Sequence, residues 1–147
     1  MRFALDTNVL AYTEGLDDLG RQGIAERLTQ RLPVDRTHIS VQVLGELYNV
    51  LVRRGRSRSL AHRAAEFWRA TFVPIQTTSE LMALAIQVAT DRQLKVWDAI
   101  VLAGSAEAGC SLLISEDFQN GFVWQGVTVC NPFIAKPHPL VAEFLRG

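Results

Sequence analysis

The chain has 147 residues, of which 48% are hydrophobic and 20% are charged, so it is long enough to bury the core of one ordinary domain. Its 15 basic and 15 acidic residues give a formal net charge of zero. This balance excludes a nucleic-acid partner held by an overall positive field, so any such partner needs a local basic patch or bound cations.

Short apolar segments alternate with helical patterns along the chain. The predicted strands are residues 2–6, 37–40, 73–76, 111–115 and 127–130, and the predicted helices are residues 7–15, 18–32, 41–54, 57–72, 79–94 and 97–109. Polar and glycine residues predict a loop over 116–126, and one or two helical turns are expected near the C-terminus. This alternation is typical of an α/β fold, with a parallel sheet and helices on both of its faces.

No repeat, low-complexity tract or change of composition divides the chain. A single domain over residues 1–147 is therefore predicted, with a C-terminal tail from about residue 132. Ser40 and Ser79 are placed to cap the third and fifth predicted helices.

The two cysteines, Cys110 and Cys130, lie in apolar segments outside any CxxC spacing, and no histidine completes a zinc site with them. Two buried free thiols in a reducing compartment are predicted. The N-terminus is charged too early for a signal peptide, and no apolar stretch reaches the roughly 20 residues of a membrane span. We therefore expect a soluble cytoplasmic protein with no membrane partner.

Four acidic residues occupy positions where carboxylates can converge. Asp6 closes the first predicted strand and Asp117 follows the fourth by two residues, at the carboxyl ends where parallel sheets gather ligands. Asp98 opens the sixth predicted helix. Glu46 lies at the margin of the apolar stripe of the third helix, where a carboxylate is partly desolvated and needs a cation or a hydrogen-bond donor.

Each acid also has a purely structural explanation. Asp6 can cap the helix that follows it, Asp98 can complement a helix dipole, and Asp117 can be an ordinary turn residue. Glu46 can form a salt bridge with Arg53. Taken singly, the acids therefore do not establish a functional site.

Taken together, the four acids fit a site for Mg²⁺ or Mn²⁺, which bind a few carboxylates together with water and substrate phosphate. Carboxylates in one pocket repel each other, and some must protonate unless a cation is bound. Bound cations attract a phosphodiester and stabilise the charge of an in-line displacement. Such a site can hold RNA although the protein is neutral overall.

Four segments, taken in order, resemble the PIN (PilT N-terminus) domain and in particular the VapC-type toxins of bacterial toxin–antitoxin pairs. The segments are LDTNVLAY, VLGELYNVL, WDAIVLA, and SLLISEDF followed by GVTVCNPF, and they extend from Asp6 to Phe133. The resemblance implies a twisted parallel sheet flanked by helices and cleavage of RNA that depends on Mg²⁺ or Mn²⁺. It also implies a homodimer and a small antitoxin that blocks the site.

The resemblance also assigns roles to individual residues. The positions that match catalytic and metal-binding acids are Asp6, Glu46, Asp98 and Asp117. Thr7, Asn8 and Ser115 match polar positions that orient the acids or the water of the metal. Glu116 lies beside Asp117 and competes for its role, although the S-x-D spacing favours Asp117.

The densest basic run lies between residues 53 and 63. Its candidate contacts to RNA phosphates are Arg53, Arg54, Arg56 and Arg58. A solvated connection between two helices explains the same charges. The neighbouring Phe67 and Trp68 are predicted to pack in the core rather than to stack on bases.

Two other functional classes are alternatives to a nuclease. A catalytically silent PIN-fold module that binds protein or RNA would be indicated by a missing acid, and none of the four is missing. A phosphatase with an aspartyl nucleophile would usually show a second Asp two residues after the first, where this chain has Asn8.

Overall fold

A computed structural model describes the whole chain, residues 1–147. Its six strands are β1 (Phe3–Leu5), β2 (Thr37–Ser40), β3 (Val73–Ile75), β4 (Leu112–Ile114), β5 (Val123–Trp124) and β6 (Val127–Cys130). Its seven α-helices are α1 (Thr7–Thr13), α2 (Leu19–Arg31), α3 (Val41–Arg53), α4 (Arg58–Thr71), α5 (Ser79–Arg92), α6 (Val96–Glu107) and α7 (Pro139–Leu145). A 3₁₀ turn, Val34–Arg36, precedes β2.

The six strands form one sheet in the order β3-β2-β1-β4-β6-β5. All neighbouring strands are parallel except β5 and β6, which are antiparallel. β2 and β3 lie on one side of β1, and β4, β6 and β5 lie on the other side. The order of the strands therefore reverses between β1 and β4, and the carboxyl ends of these strands flank the crevice in which such sheets bind ligands.

The predicted α/β fold with a parallel sheet flanked by helices is confirmed, with one correction in the predicted loop 116–126. This segment contains β5, which pairs with β6 through Trp124 and Val127. Gln125 and Gly126, which join the two strands, both have positive φ values, 48° and 80°. Two-residue hairpin turns require this conformation, but Gln-Gly is a weaker sequence signal for it than Asn-Gly.

The strands and α6 form the centre of the core. Leu5, Leu113 and Ile114 are fully buried, and the buried hydrophobic cluster extends from β1 to Val141 in α7. Every residue from Ala99 to Ser105 in α6 is buried. The elements next to the candidate acids Asp6, Asp98 and Asp117, which are β1, α6 and β4, are therefore among the most enclosed elements of the fold.

Two predictions about helices need correction. Thr78 caps α5, because its side chain accepts a hydrogen bond from the backbone N–H of Leu81, whereas Ser79 is the first helical residue. Phe67 is 58% exposed, although Trp68 is buried as predicted. Successive residues of a helix point about 100° apart, so only one of these two aromatic side chains can face the core.

Other local predictions are confirmed. Ser40 caps α3 by accepting a hydrogen bond from the backbone N–H of Gln42. Cys110 and Cys130 are free and buried, and burial raises their thiol pKa values to about 12 and about 11. Among the helices of this structure, none combines the length and the apolar character that a bilayer crossing requires.

Candidate functional site

Asp6 lies directly after β1 and forms the N-cap of α1. One carboxylate oxygen accepts a hydrogen bond from the backbone N–H of Thr7 at 2.8 Å, and the other accepts one from the hydroxyl of Ser115 at 2.7 Å. The residue is only 3% exposed. The Asp6 pKa is raised to about 7, mainly by burial and in smaller part by the charges of Asp117 and Asp98, while the two hydrogen bonds act in the opposite direction. Asp6 is therefore the N-cap residue, as predicted, but its side chain accepts from the backbone N–H of Thr7 rather than from the expected N–H groups near Asn8 and Val9. It also lies in the field of two other acids.

Asp98 lies in the first turn of α6, as the sequence predicted, and is half-buried. Burial is the main cause that raises its pKa, and the charges of Asp117 and Glu46 add to this effect. Lys95, just before the helix, acts in the opposite direction. The structure therefore brings carboxylates from α3, α6 and the loop after β4 within electrostatic reach of one another.

Glu46 is held by hydrogen bonds rather than by an ion pair. Its carboxylate accepts one from the hydroxyl of Thr7 at 2.9 Å and one from the side-chain amide of Gln42 at 3.3 Å. The salt bridge to Arg53 considered from the sequence does not form. Because Thr7 also donates its backbone N–H to Asp6, this single residue connects the two acids.

Asp117 is held at the same edge of the sheet by Asn8 and Ser115. The side-chain amide of Asn8 donates to the Asp117 carboxylate at 3.1 Å and to the Ser115 hydroxyl at 3.3 Å. The backbone N–H of Asp117 donates to the same hydroxyl at 3.1 Å. Thr7, Asn8 and Ser115 therefore all contact acids, as expected for residues that orient them.

Glu116 points to a different side of the loop. Its carboxylate accepts a hydrogen bond from the Tyr12 hydroxyl at 2.7 Å and lies 3.4 Å from the guanidinium of Arg21. The acids whose charges act on Asp6 and Asp98 include Asp117 but not Glu116. The contacts therefore separate the two adjacent acids.

The four acids Asp6, Glu46, Asp98 and Asp117 form an acid cluster whose chemistry fits a hard divalent cation. All four offer carboxylate oxygens. Burial is the main cause of the raised pKa values of Asp6 and Asp98, and the repulsion from neighbouring acids that adds to it is what a bound cation relieves. No group of three acidic, histidine or cysteine side chains lies close enough together to enclose a metal ion in this arrangement.

An open cavity of about 380 Å³ adjoins the acid cluster. Glu46 and Asp117 line one part of it, and Tyr12, Asn49 and Arg53 line another. Gln42, Glu46, Asn49 and Arg53 are spaced by four, three and four residues on α3, so they share one face of the helix. One face of α3 therefore leads from the acids to a basic side chain.

The four arginines of the basic run have different surroundings. Arg54 forms an ion pair with Asp17, and the guanidinium of Arg56 donates to the backbone carbonyl of Glu14. Arg53 and Arg54 both line the cavity, Arg53 without an ion-pair partner, whereas Arg58 begins α4 outside the cavity. The structure therefore does not bring the four side chains together as one patch.

Tyr12 and Arg21 contact the site loop but were not predicted as site residues. Tyr12 follows Asn8 by four residues and so lies on the same face of α1, which is a signal that the sequence contained. Arg21 belongs to α2, and no local pattern indicates that it reaches the loop after β4.

Both the sequence and the fold of this chain are similar to those of known proteins. The PIN domain family model matches residues 3–119. The fold is similar to that of Mycobacterium tuberculosis VapC20, a sarcin–ricin loop cleaving toxin, with a TM-score of 0.65 and 27% identity over 76% of this chain and 86% of that chain. No curated protein matches significantly in sequence.

Two solved complexes show the same similarity of fold. A toxin–antitoxin complex from Klebsiella pneumoniae gives a TM-score of 0.65 and 19% identity over 88% of this chain and 96% of that chain. DNA-bound VapBC from Salmonella typhimurium gives 0.64 and 16%, with the same coverage of 88% and 96%. The structural neighbours of the chain are VapC toxins of toxin–antitoxin systems. Because the PIN domain family model matches well over half of the chain, the chain belongs to the PIN domain family.

Proposed function

We propose that this chain is an endoribonuclease that depends on a divalent metal, and that it is the toxin of a type II toxin–antitoxin pair. We further propose that residues 1–147 form one nuclease domain, including the tail from about residue 132, because Val141 belongs to the same buried cluster as β1. One observation carries the proposal. Beside the β1–β4 crevice, the charges of Asp117 and Asp98 act on Asp6, and the charges of Asp117 and Glu46 act on Asp98.

The residues that would hold Mg²⁺ or Mn²⁺ are Asp6, Asp98 and Asp117, together with Glu46. When bound, the cation supplies positive charge that binds the phosphodiester and offsets the charge of the displacement. The role of Asp6 depends on its ionised form, because only the carboxylate is a strong ligand for a hard cation. Its raised pKa therefore predicts weak metal binding below about pH 7.

Three polar residues keep the acids in place. Ser115 and the backbone N–H of Thr7 fix the two oxygens of Asp6, the Thr7 hydroxyl fixes Glu46, and Asn8 fixes Asp117. Loss of a side chain that orients a metal ligand in this way commonly lowers metal affinity or activity by roughly 10–100-fold.

The cavity beside the acid cluster is the proposed place for the RNA strand. Arg53 is the arginine of the basic run that lines this cavity without an ion-pair partner, and so it is the one best placed to contact a phosphate. Arg54 and Arg56 instead stabilise the protein through Asp17 and Glu14. One available arginine and a bound cation are consistent with RNA binding by a chain of zero net charge.

The structural neighbours suggest partners as well as substrates. VapC20 is a sarcin–ricin loop cleaving toxin, so a sarcin–ricin loop RNA is a reasonable first substrate. The Klebsiella and Salmonella structures are toxin–antitoxin complexes, which supports a small antitoxin as partner of this chain. We also propose a homodimer, and action in the cytoplasm, where the buried thiols would stay reduced.

Cleavage of RNA by purified protein free of antitoxin tests this proposal. Total cellular RNA and a sarcin–ricin loop RNA are incubated with Mg²⁺, Mn²⁺ or EDTA, and the fragments are mapped. We expect cutting with metal, none with EDTA and none with Asp98→Ala. Asp91→Ala is a matched control that should leave cleavage unchanged, because Asp91 lies exposed near the end of α5.

A second candidate function is a catalytically silent PIN-fold module that binds protein or RNA. It is favoured by the absence of three acids close enough to enclose a metal ion. Binding of RNA that is equal in Mg²⁺ and EDTA, without cutting by the folded protein, would favour this module over the nuclease.

A further inference from the structure

Glu116 has the least exposed side chain of all the residues that form ion pairs in this structure. Its side chain is 20% exposed, and the carboxylate is contacted by the Tyr12 hydroxyl at 2.7 Å and by Arg21 at 3.4 Å. Arg21 also donates to the Tyr12 hydroxyl at 2.8 Å. Each of the three side chains therefore contacts the other two, and the carboxylate is satisfied without any contact to the acid cluster.

Aromatic contacts hold Arg21 in this arrangement. Its guanidinium carbon lies 5.5 Å from the centre of the Tyr12 ring and 5.9 Å from that of Phe133, and these two rings meet edge-on at 5.1 Å. Cation–π and edge-to-face contacts of this kind restrict the position of an otherwise mobile arginine. The contact joins α1, α2, the loop after β4 and the segment after β6.

The same loop presents its neighbouring side chains in different directions. Ser115 and Asp117 both contact Asn8, whereas the Glu116 side chain contacts Tyr12. Because residues 116 and 117 share a peptide bond, fixing the Glu116 side chain restricts the orientation available to Asp117.

We infer that Tyr12 and Arg21 are positioning residues that hold Glu116 away from the acid cluster and thereby keep Asp117 in it. The inference rests on the proposed function, because it assigns Asp117 and not Glu116 to the metal. Tyr12 and Arg21 are not among the acidic and polar positions that match the PIN domain pattern. It also gives Glu116 a role that depends on accepting hydrogen bonds rather than on binding the cation.

Mn²⁺ binding to the full-length, metal-free protein tests this inference without relying on cleavage. Affinity is measured by titration calorimetry near pH 8, and electron paramagnetic resonance reports the environment of the bound Mn²⁺. We expect Tyr12→Phe to weaken binding about tenfold, as is common when a side chain that orients metal ligands is lost. Glu116→Gln should have a smaller effect, because its carbonyl oxygen can still accept from Tyr12. Asp117→Asn should have the largest effect of the three.

Arg21→Gln and Arg69→Gln form a matched pair of arginine variants. Arg21→Gln should weaken Mn²⁺ binding, whereas Arg69→Gln removes an exposed ion pair with Glu66 on α4 and should not. Circular dichroism and the urea midpoint verify that each variant is folded. If Tyr12 acts through Glu116, the double variant Tyr12→Phe with Glu116→Gln should weaken binding by less than the product of the single effects.

The outcomes separate the inference from the function on which it rests. If the wild type binds Mn²⁺ and folded Tyr12→Phe binds it equally or more tightly, the positioning role is overturned. The same conclusion follows if Glu116→Gln weakens binding as much as Asp117→Asn, because Glu116 would then be a ligand. A wild type that binds no Mn²⁺ would overturn the proposed metal site itself, and the positioning role with it. Weaker binding in Tyr12→Phe and Arg21→Gln, with Glu116→Gln less affected, supports the inference.

Discussion

Replacing Asp6 by asparagine should stabilise the metal-free protein at alkaline pH while abolishing cleavage. Burial raises the Asp6 pKa from its ordinary 3.8 to about 7. The folded state therefore retains this proton over a pH range in which the unfolded state has lost it. Consequently the free energy of unfolding falls as the pH rises from about 4 to about 7 and stays low above that range.

The size of the effect follows from the two pKa values. At about 1.4 kcal/mol per pKa unit, the ionised Asp6 costs the folded state about 4 kcal/mol at about pH 8 in the absence of metal. Asparagine carries no charge and has no such penalty. It is also a good N-cap, so its side-chain oxygen can still accept from the backbone N–H of Thr7.

Urea unfolding in EDTA between about pH 4.5 and about pH 8.5 measures this difference. The wild-type free energy of unfolding should fall across the range, the Asp6→Asn curve should be flatter, and the variant should be the more stable protein at the alkaline end. Added Mg²⁺ should restore about 2.7 kcal/mol to the wild type at a hundredfold excess over Kd, and nothing to the variant. Asp91→Asn is the exposed control and should follow the wild type.

Parallel pH curves for wild type and Asp6→Asn would refute the reasoning, because Asp6 would then titrate alike in the folded and unfolded states. A variant that is less stable at every pH and also inactive would show that the carboxylate contributes to folding, through hydrogen bonds that the asparagine amide does not replace. A variant that is folded, more stable at alkaline pH and inactive is the expected result, and it would assign the acid to function rather than to folding.

Three further predictions concern orientation, substrate and core. Ser115→Ala should lower the free energy of unfolding by about 1–3 kcal/mol and raise the Asp6 pKa further, because a buried hydrogen bond to the Asp6 carboxylate is lost. Urea unfolding at several pH values would detect both effects, and unchanged stability would contradict the contact. Arg53→Gln should raise KM for RNA more than it lowers kcat, whereas Arg58→Gln should change neither, and steady-state cleavage kinetics would separate these effects. Leu113→Ala, in the fully buried strand β4, should cost about 2–5 kcal/mol equally with Mg²⁺ and EDTA in thermal and urea unfolding.

The strands that carry the site were predictable because they are apolar runs with clear ends. The predicted strand 37–40 coincides with β2, and the predicted strands 2–6 and 111–115 each extend one residue beyond β1 and β4 at both ends. A two-residue strand such as β5 has no measurable periodicity, so only its turn could have indicated it. The Gln-Gly sequence of that turn is a weak signal for a hairpin, because glutamine rarely adopts the positive φ that Gln125 has here.

Contacts between distant elements account for what the sequence did not predict about the site. Asp6 and Asp117 could be placed at one edge of the sheet because topology brings the ends of parallel strands together. The direction of Glu116 depends on Tyr12, 104 residues away, and the ion pair formed by Arg54 depends on Asp17 in a different part of the chain. No spacing rule within a helix or strand reports such pairs.

The acid cluster is better explained by function than by folding. The hydrogen bonds from Thr7, Asn8 and Ser115 orient the carboxylates, but they leave the negative charge in place, and the pKa of Asp6 stays raised despite its two donors. A neutral residue could provide the same cap without the cost of burying a charge. The fully buried strands β1 and β4 supply the apolar packing that offsets this cost where the strand order reverses. A fold that keeps such a cost beside an open cavity is expected to bind a cation there, since binding relieves the repulsion and adds to stability.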